Sequence, residues 1–155
     1  MAVEVVLVAG TGESDPDTDA LAQAVGAALA RAGVTVLCGG LGGVMAAACR
    51  GARSAGGTTV ALLPGAARED ANQWVDIALP TGLGEARNVL LVRAADAVVA
   101  IGGGYGTLSE IAFALKAGRR VIGLQTWDID GVQPATDAAE AVHLLVANPP
   151  VHPLK

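Results

Sequence analysis

Three glycine-rich segments hold the residues in this sequence best suited to chemistry. The longest reads Gly102-Gly103-Gly104-Tyr105-Gly106-Thr107-Leu108-Ser109-Glu110. Glycines ahead of a helix expose backbone N–H groups at the positive end of its dipole, and that arrangement holds a phosphate. Thr107 adds a hydroxyl to such a cradle, and Glu110 adds a carboxylate within the helix. The other two segments are Gly10-Thr11-Gly12 and Gly39-Gly40-Leu41-Gly42-Gly43. A G-x-G turn alone also serves tight turning, so the third segment carries the stronger signal.

The elements that must position these turns alternate along the chain. Strands are predicted over 3–9, 34–38, 58–63, 74–79, 97–101 and 121–125, mostly as short β-branched runs. Helices are predicted over 17–32, with Asp17 and Asp19 as N-caps, then 44–55, 83–95, 107–117 and 136–147. Residues 66–73 and 126–134 read as loops, and Pro149-Pro150 closes the last helix ahead of a short tail. Buried strands joined by helical crossovers argue a doubly wound α/β fold, with a mostly parallel sheet and helices on both faces. Residues 1–155 are expected to form a single Rossmann-like domain. Such sheets bind ligands at the carboxyl ends of their strands, where all three glycine turns fall.

Composition narrows the function classes. The 155 residues include 21 glycines and 32 alanines, with 52% hydrophobic, 16% charged and 3% aromatic residues. That mixture excludes a disordered chain. The apolar runs are shorter than the roughly 20 residues a membrane span needs. A net charge of −5 leaves no expected attraction to nucleic acid or to an anionic membrane. The start lacks the basic region of a signal peptide, and Cys38 and Cys49 form neither a CxxC pair nor a disulfide framework. Two buried, reduced thiols in a cytoplasmic protein are expected.

Residue types also exclude familiar phosphate chemistries. The first turn lacks the third glycine of a dinucleotide fingerprint, and the second strand ends at Cys38 rather than at an acid. No lysine lies near a glycine turn, which excludes a Walker A loop. Of the two lysines, Lys116 fits a helix end beside Arg119 and Arg120, not a pyridoxal phosphate Schiff base. The acids Glu13, Asp15, Asp17 and Asp19 read as capping and turn residues, and His143 and His152 lack ligand-spaced partners. No metal and no resident cofactor is expected. Trp74 and Trp127 read as packing or interface residues, and Tyr105 is open between stacking on a ring and covering its loop.

The segment 103–110 resembles the PGGxGTxxE signature of the LOG-type ("lonely guy") phosphoribohydrolases and the wider Rossmann-like nucleotide-binding group around them. Arg87 is similar to the arginine of that family's RK motif, with Asn88 in place of its lysine, and residues 39–45 resemble its GGxxGLM turn. Gly102 stands where the family has proline. A GGGxGT form with serine before the glutamate also looks like the molybdenum cofactor carrier proteins of this group, which bind a phosphate-bearing pterin and are not hydrolases.

The resemblance implies a nucleoside 5′-monophosphate-like ligand and hydrolysis of its N-glycosidic bond. Glu110 would stabilise the positive charge that develops on the ribose, and Arg87 would hold the substrate or support the leaving base. Gly103, Gly104, Tyr105, Gly106 and Thr107 would cradle the 5′-phosphate. Gly10, Thr11, Gly39, Gly40, Gly42, Gly43, Met45 and Asn88 would complete the ligand site. The alternative it leaves open is a non-catalytic carrier or sensor of a phosphorylated cofactor such as molybdenum cofactor. The resemblance further implies a homo-oligomer, a dimer or larger.

Overall fold

The computed structural model of the chain describes residues 2–147. Its strands are β1 (Val5–Gly10), β2 (Thr35–Cys38), β3 (Thr59–Leu63), β4 (Ile77–Pro80), β5 (Ala97–Ile101), β6 (Arg120–Leu124) and β7 (Val132–Pro134). The helices are α1 (Pro16–Arg31), α2 (Val44–Ser54), α3 (Arg87–Ala94), α4 (Tyr105–Lys116) and α5 (Ala138–Ala147). All seven strands join one sheet in the order β4-β3-β2-β1-β5-β6-β7, and every pairing is parallel. The chain winds outward from β1 to β4, then returns to β5 on the other side of β1. The switch point therefore lies between β1 and β5, where Gly10 pairs with Ile101.

Helices cover both faces of the sheet. Val6, Val8, Val99 and Ile122 pack under α1, α2 and α5, while Leu7, Leu37, Val98 and Ala100 pack under α3 and α4. The central strands are buried on both sides, which is why they read as continuous apolar runs rather than alternating ones. The abundance of small residues has a packing cause. A β-carbon on Gly26 would lie 1.9 Å from the Ala48 carbonyl oxygen, so α1 and α2 meet backbone to backbone.

Four expectations are corrected. Asp15, not Asp17 or Asp19, caps α1: its carboxylate accepts from the Thr18 amide at 3.0 Å. β4 begins at Ile77 rather than at Trp74, because Asp76 and Trp74 bond to Thr59 through side-chain groups ahead of the ladder. The helix predicted from residue 83 starts at Arg87, since Gly82 and Gly84 adopt positive φ and leave a 3-10 turn at Gly84–Ala86. The loop predicted over 126–134 contains β7, an edge strand of three residues too short to leave a pattern. The Pro149-Pro150 stop and His152 lie outside the described residues.

Candidate functional site

Two of the three glycine turns interlock at the carboxyl edge. The Val44 amide, at the start of α2, donates to the Thr11 carbonyl at 3.0 Å, and a β-carbon on Gly10 would collide with Val44. Gly42 and Gly43 lie against Gly12 and Thr11. Gly40 turns at φ +81, and its amide donates to Cys38 Sγ at 3.3 Å. Met45 is buried beside Cys38 and Cys49. These residues therefore build the floor and wall of the edge.

The third turn is tied down from the opposite side. The Gly102 amide donates to the Leu124 carbonyl at 3.0 Å. The Thr126 hydroxyl donates to the Gly102 carbonyl at 2.6 Å, and Trp127 Nε1 donates to the Gly104 carbonyl at 3.2 Å. Gly103 turns at φ +98 directly over Thr107, whose Oγ1 would lie 2.2 Å from a β-carbon there. Only glycine fits that position. Gly104 caps α4 without a side-chain hydrogen bond, so the first amides of the helix keep their outward-facing donors. By contrast, the start of α1 is already occupied by Asp15. An anion at this edge meets open donors on α4.

Arg87 and Glu110 face the same edge from α3 and α4, and both are buried. Arg87 Nε donates to the Leu62 carbonyl at 3.0 Å, Nη2 to the Gly39 carbonyl at 3.4 Å, and Nη1 to Asn88 Oδ1. Three of its five N–H groups are thus held by the protein, leaving two. Asn88 Nδ2 donates to Ser109 Oγ at 3.2 Å, and Ser109 Oγ donates to the Gly106 carbonyl at 2.6 Å. Asn88, expected among the ligand-binding residues, spends its amide inside the protein, linking Arg87 to the glycine turn.

Glu110 makes no hydrogen bond or ion pair among the described residues. Burial pushes its carboxyl up to about 7, with the Arg87 charge pulling the other way. Burial likewise lowers the Arg87 guanidinium, and the Glu110 charge opposes that. A carboxyl poised near neutrality beside a cation is able to exchange a proton at physiological pH. Below them Cys38 and Cys49 are both buried, with sulfurs 3.4 Å apart. The hydrogen bond between them lowers the Cys38 thiol and raises that of Cys49. Among the described residues no cluster of three or more metal-ligating side chains occurs.

Sequence reasoning missed Thr126 and Trp127 as supports of the third turn. Their only signal was proximity to the end of a strand next to β5. Tyr105, left open above, stacks on Trp127 with ring centroids 6.2 Å apart and planes 29° apart. Trp74, on the far side of the edge, lies under the Arg50 guanidinium at 5.7 Å.

Strand order and the position of this edge make the protein a Rossmann-like α/β protein. More narrowly, the model of the SLOG cluster4 family matches residues 3–151, and the chain belongs to that family. An uncharacterized protein of Archaeoglobus fulgidus is 44% identical over 142 residues, which is 91% of this chain and 93% of that one. The molybdenum cofactor binding protein from the phototrophic bacterium Rippkaea orientalis superposes with a TM-score of 0.89 at 36% identity, covering 95% of this chain and 98% of that one. The molybdenum cofactor carrier protein of Chlamydomonas reinhardtii gives 0.84 at 35% identity, covering 92% and 96%. The resemblance read in the sequence is thereby borne out, on its carrier branch.

Proposed function

We propose that the protein is a non-catalytic carrier of a phosphorylated, ring-bearing cofactor, with molybdenum cofactor as the cargo that best fits its relatives. The observation that carries this reading is the likeness to two proteins named for binding or carrying that cofactor, over more than nine-tenths of the chain. The residues at the edge suit such a cargo. The amides of Gly104 to Thr107, at the uncapped start of α4, would take its phosphate. Arg87 has two N–H groups left to steady it.

A second reading keeps one specific observation in its favour. Glu110, raised to about 7 beside Arg87, has the protonation behaviour that hydrolysis of an N-glycosidic bond would use. It would stabilise the ribosyl cation and orient water, whose oxygen bonds to the ribosyl carbon as the C–N bond breaks and whose proton goes to the departing base. One experiment separates the two. Native mass spectrometry detects cargo that co-purifies, and incubation with nucleoside 5′-monophosphates is followed by chromatography of the free base. Bound pterin cofactor with no base release supports carriage. Base release that disappears in Glu110→Gln and Arg87→Ala overturns it in favour of the phosphoribohydrolase.

We further infer a homo-oligomer, a reading supported by the exposure of Leu83 and Leu90. Light scattering that returns a monomer would remove it. No described helix is long and apolar enough to cross a membrane. The buried free thiols Cys38 and Cys49 favour action in the cytoplasm.

A further inference from the structure

A hollow of about 410 Å³ lies between α3 and α4, within the size range of small-molecule pockets. It touches Tyr105 and Gly106 at the glycine turn and Phe113 further along α4, with Val89 contributed by α3. Neither Arg87 nor Glu110 lines it. Its polar groups divide into two sets. Asn88 and Ser109 are engaged with each other and with the Gly106 carbonyl. The Glu85 carboxylate and the Tyr105 hydroxyl, by contrast, have no hydrogen-bond partner among the described residues.

Tyr105 is 84% exposed, and its ring has one aromatic neighbour. Trp127 stacks on it and is itself anchored to the Gly104 carbonyl. Trp127 itself does not line the hollow. The result is an aromatic ring with one supporting partner, standing next to the amides that would take a phosphate. An exposed aromatic stacked in this way loses less rotamer freedom when a planar ring packs on it.

We propose that this hollow receives the planar ring of the phosphorylated ligand, and that Glu85 selects rings carrying the paired N–H donors of a 2-amino-4-oxopyrimidine, an edge that guanine and pterin share. The inference rests on the reading of the protein as a binder of a phosphorylated ring. Tyr105 covers the ring, while Val89 and Phe113 meet its apolar perimeter. A carboxylate accepts two parallel N–H bonds, the same geometry it uses toward arginine. Adenine offers one donor and one lone pair on the corresponding edge. It would point that lone pair at an anion, a mismatch that weakens its binding relative to a ring with two donors.

The test is calorimetric titration of the full chain with GMP, 6-hydroxymethylpterin monophosphate, AMP and inorganic phosphate. GMP or the pterin phosphate is expected to bind at least about ten-fold tighter than AMP, the scale of a charge-assisted hydrogen bond. The tighter of the two identifies the source of the ring. Glu85→Gln is expected to abolish that preference. Glu85 is exposed in a 3-10 turn, so the substitution leaves the core intact. Tyr105→Ala should weaken both preferred ligands by about ten-fold or more, the cost of losing an aromatic stacking partner. Equal binding of AMP and GMP, or a preference that survives Glu85→Gln, overturns the ring assignment while leaving the carrier reading in place. Failure of all four ligands to bind overturns both.

Discussion

The Arg87 guanidinium occupies the space that a side chain at residue 39 would enter. A β-carbon on Gly39 would lie 2.5 Å from Arg87 Nη2 and 2.9 Å from Met45 Sδ. The glycine carbonyl is at the same time one of the acceptors that hold the guanidinium. A turn after β2 and a side chain from α3 are therefore one unit, although 48 residues separate them.

Gly39→Ala is expected to destabilise the protein by about 1–3 kcal/mol, the usual cost of forcing a core group aside. Gly106→Ala supplies the contrast. No atom lies within 4 Å of a β-carbon there, and its φ is not positive. Its effect should stay within about 0.5 kcal/mol. Urea unfolding of the two variants measures the difference, and comparable losses would contradict the steric account.

The titration of Glu110 makes stability depend on pH. In the folded chain its carboxyl keeps its proton up to about 7, against 4.5 ordinarily. Between those values the folded state binds more protons than the unfolded one, so stability falls as pH rises through that window. Relative to Glu110→Gln, the protein should lose roughly 3 kcal/mol between about pH 4 and pH 8, an order-of-magnitude figure. Denaturant unfolding across that range checks it. A difference that stays flat would mean that burial does not raise the carboxyl.

Arg87→Ala removes the cation that holds the Glu110 carboxyl down. The Glu110 titration should therefore move above about 7, observable in carbon-detected NMR of the glutamate side chain. The same change leaves the carbonyls of Leu62 and Gly39 and the Asn88 amide without their partner. The expected loss is about 2–4 kcal/mol, since several buried acceptors are orphaned together. An unchanged Glu110 titration would show that the two charges do not sense one another.

Thr126→Val keeps the shape of the side chain and deletes its bond to the Gly102 carbonyl. A global cost of about 1 kcal/mol is expected, with faster amide exchange concentrated in residues 102–107. Exchange rates raised equally across α1 and α2 would argue that the glycine turn is not held by Thr126.

Much of the fold was legible in the chain because parallel-sheet burial writes itself as local composition. β5 is an uninterrupted apolar run, and its observed limits coincide with those predicted over 97–101. Elements that depend on distant partners were not legible. β4 starts late because Thr59 captures Asp76, and β7 forms because β6 offers it an edge. The glycine turns and Glu110 could be singled out from residue type and spacing, and Arg87 from its resemblance to the RK motif of the phosphoribohydrolases. The role of Asn88 could not, since its neighbour in sequence is also its hydrogen-bond partner and Ser109 lies on another helix.

The sequence by itself determined the alternation of strands and helices, the three glycine turns and the exclusion of lysine-dependent phosphate chemistry. Those follow from backbone freedom, periodicity and side-chain inventory, all of which are local. Only the tertiary structure decided that Arg87 is anchored by strand β3 and the turn after β2, that Glu110 is buried enough to titrate near neutrality, and that Trp127 stacks on Tyr105. Each of these depends on groups brought together by the sheet order. Desolvation and hydrogen-bond geometry are properties of that assembled surface, and no spacing along the chain encodes them.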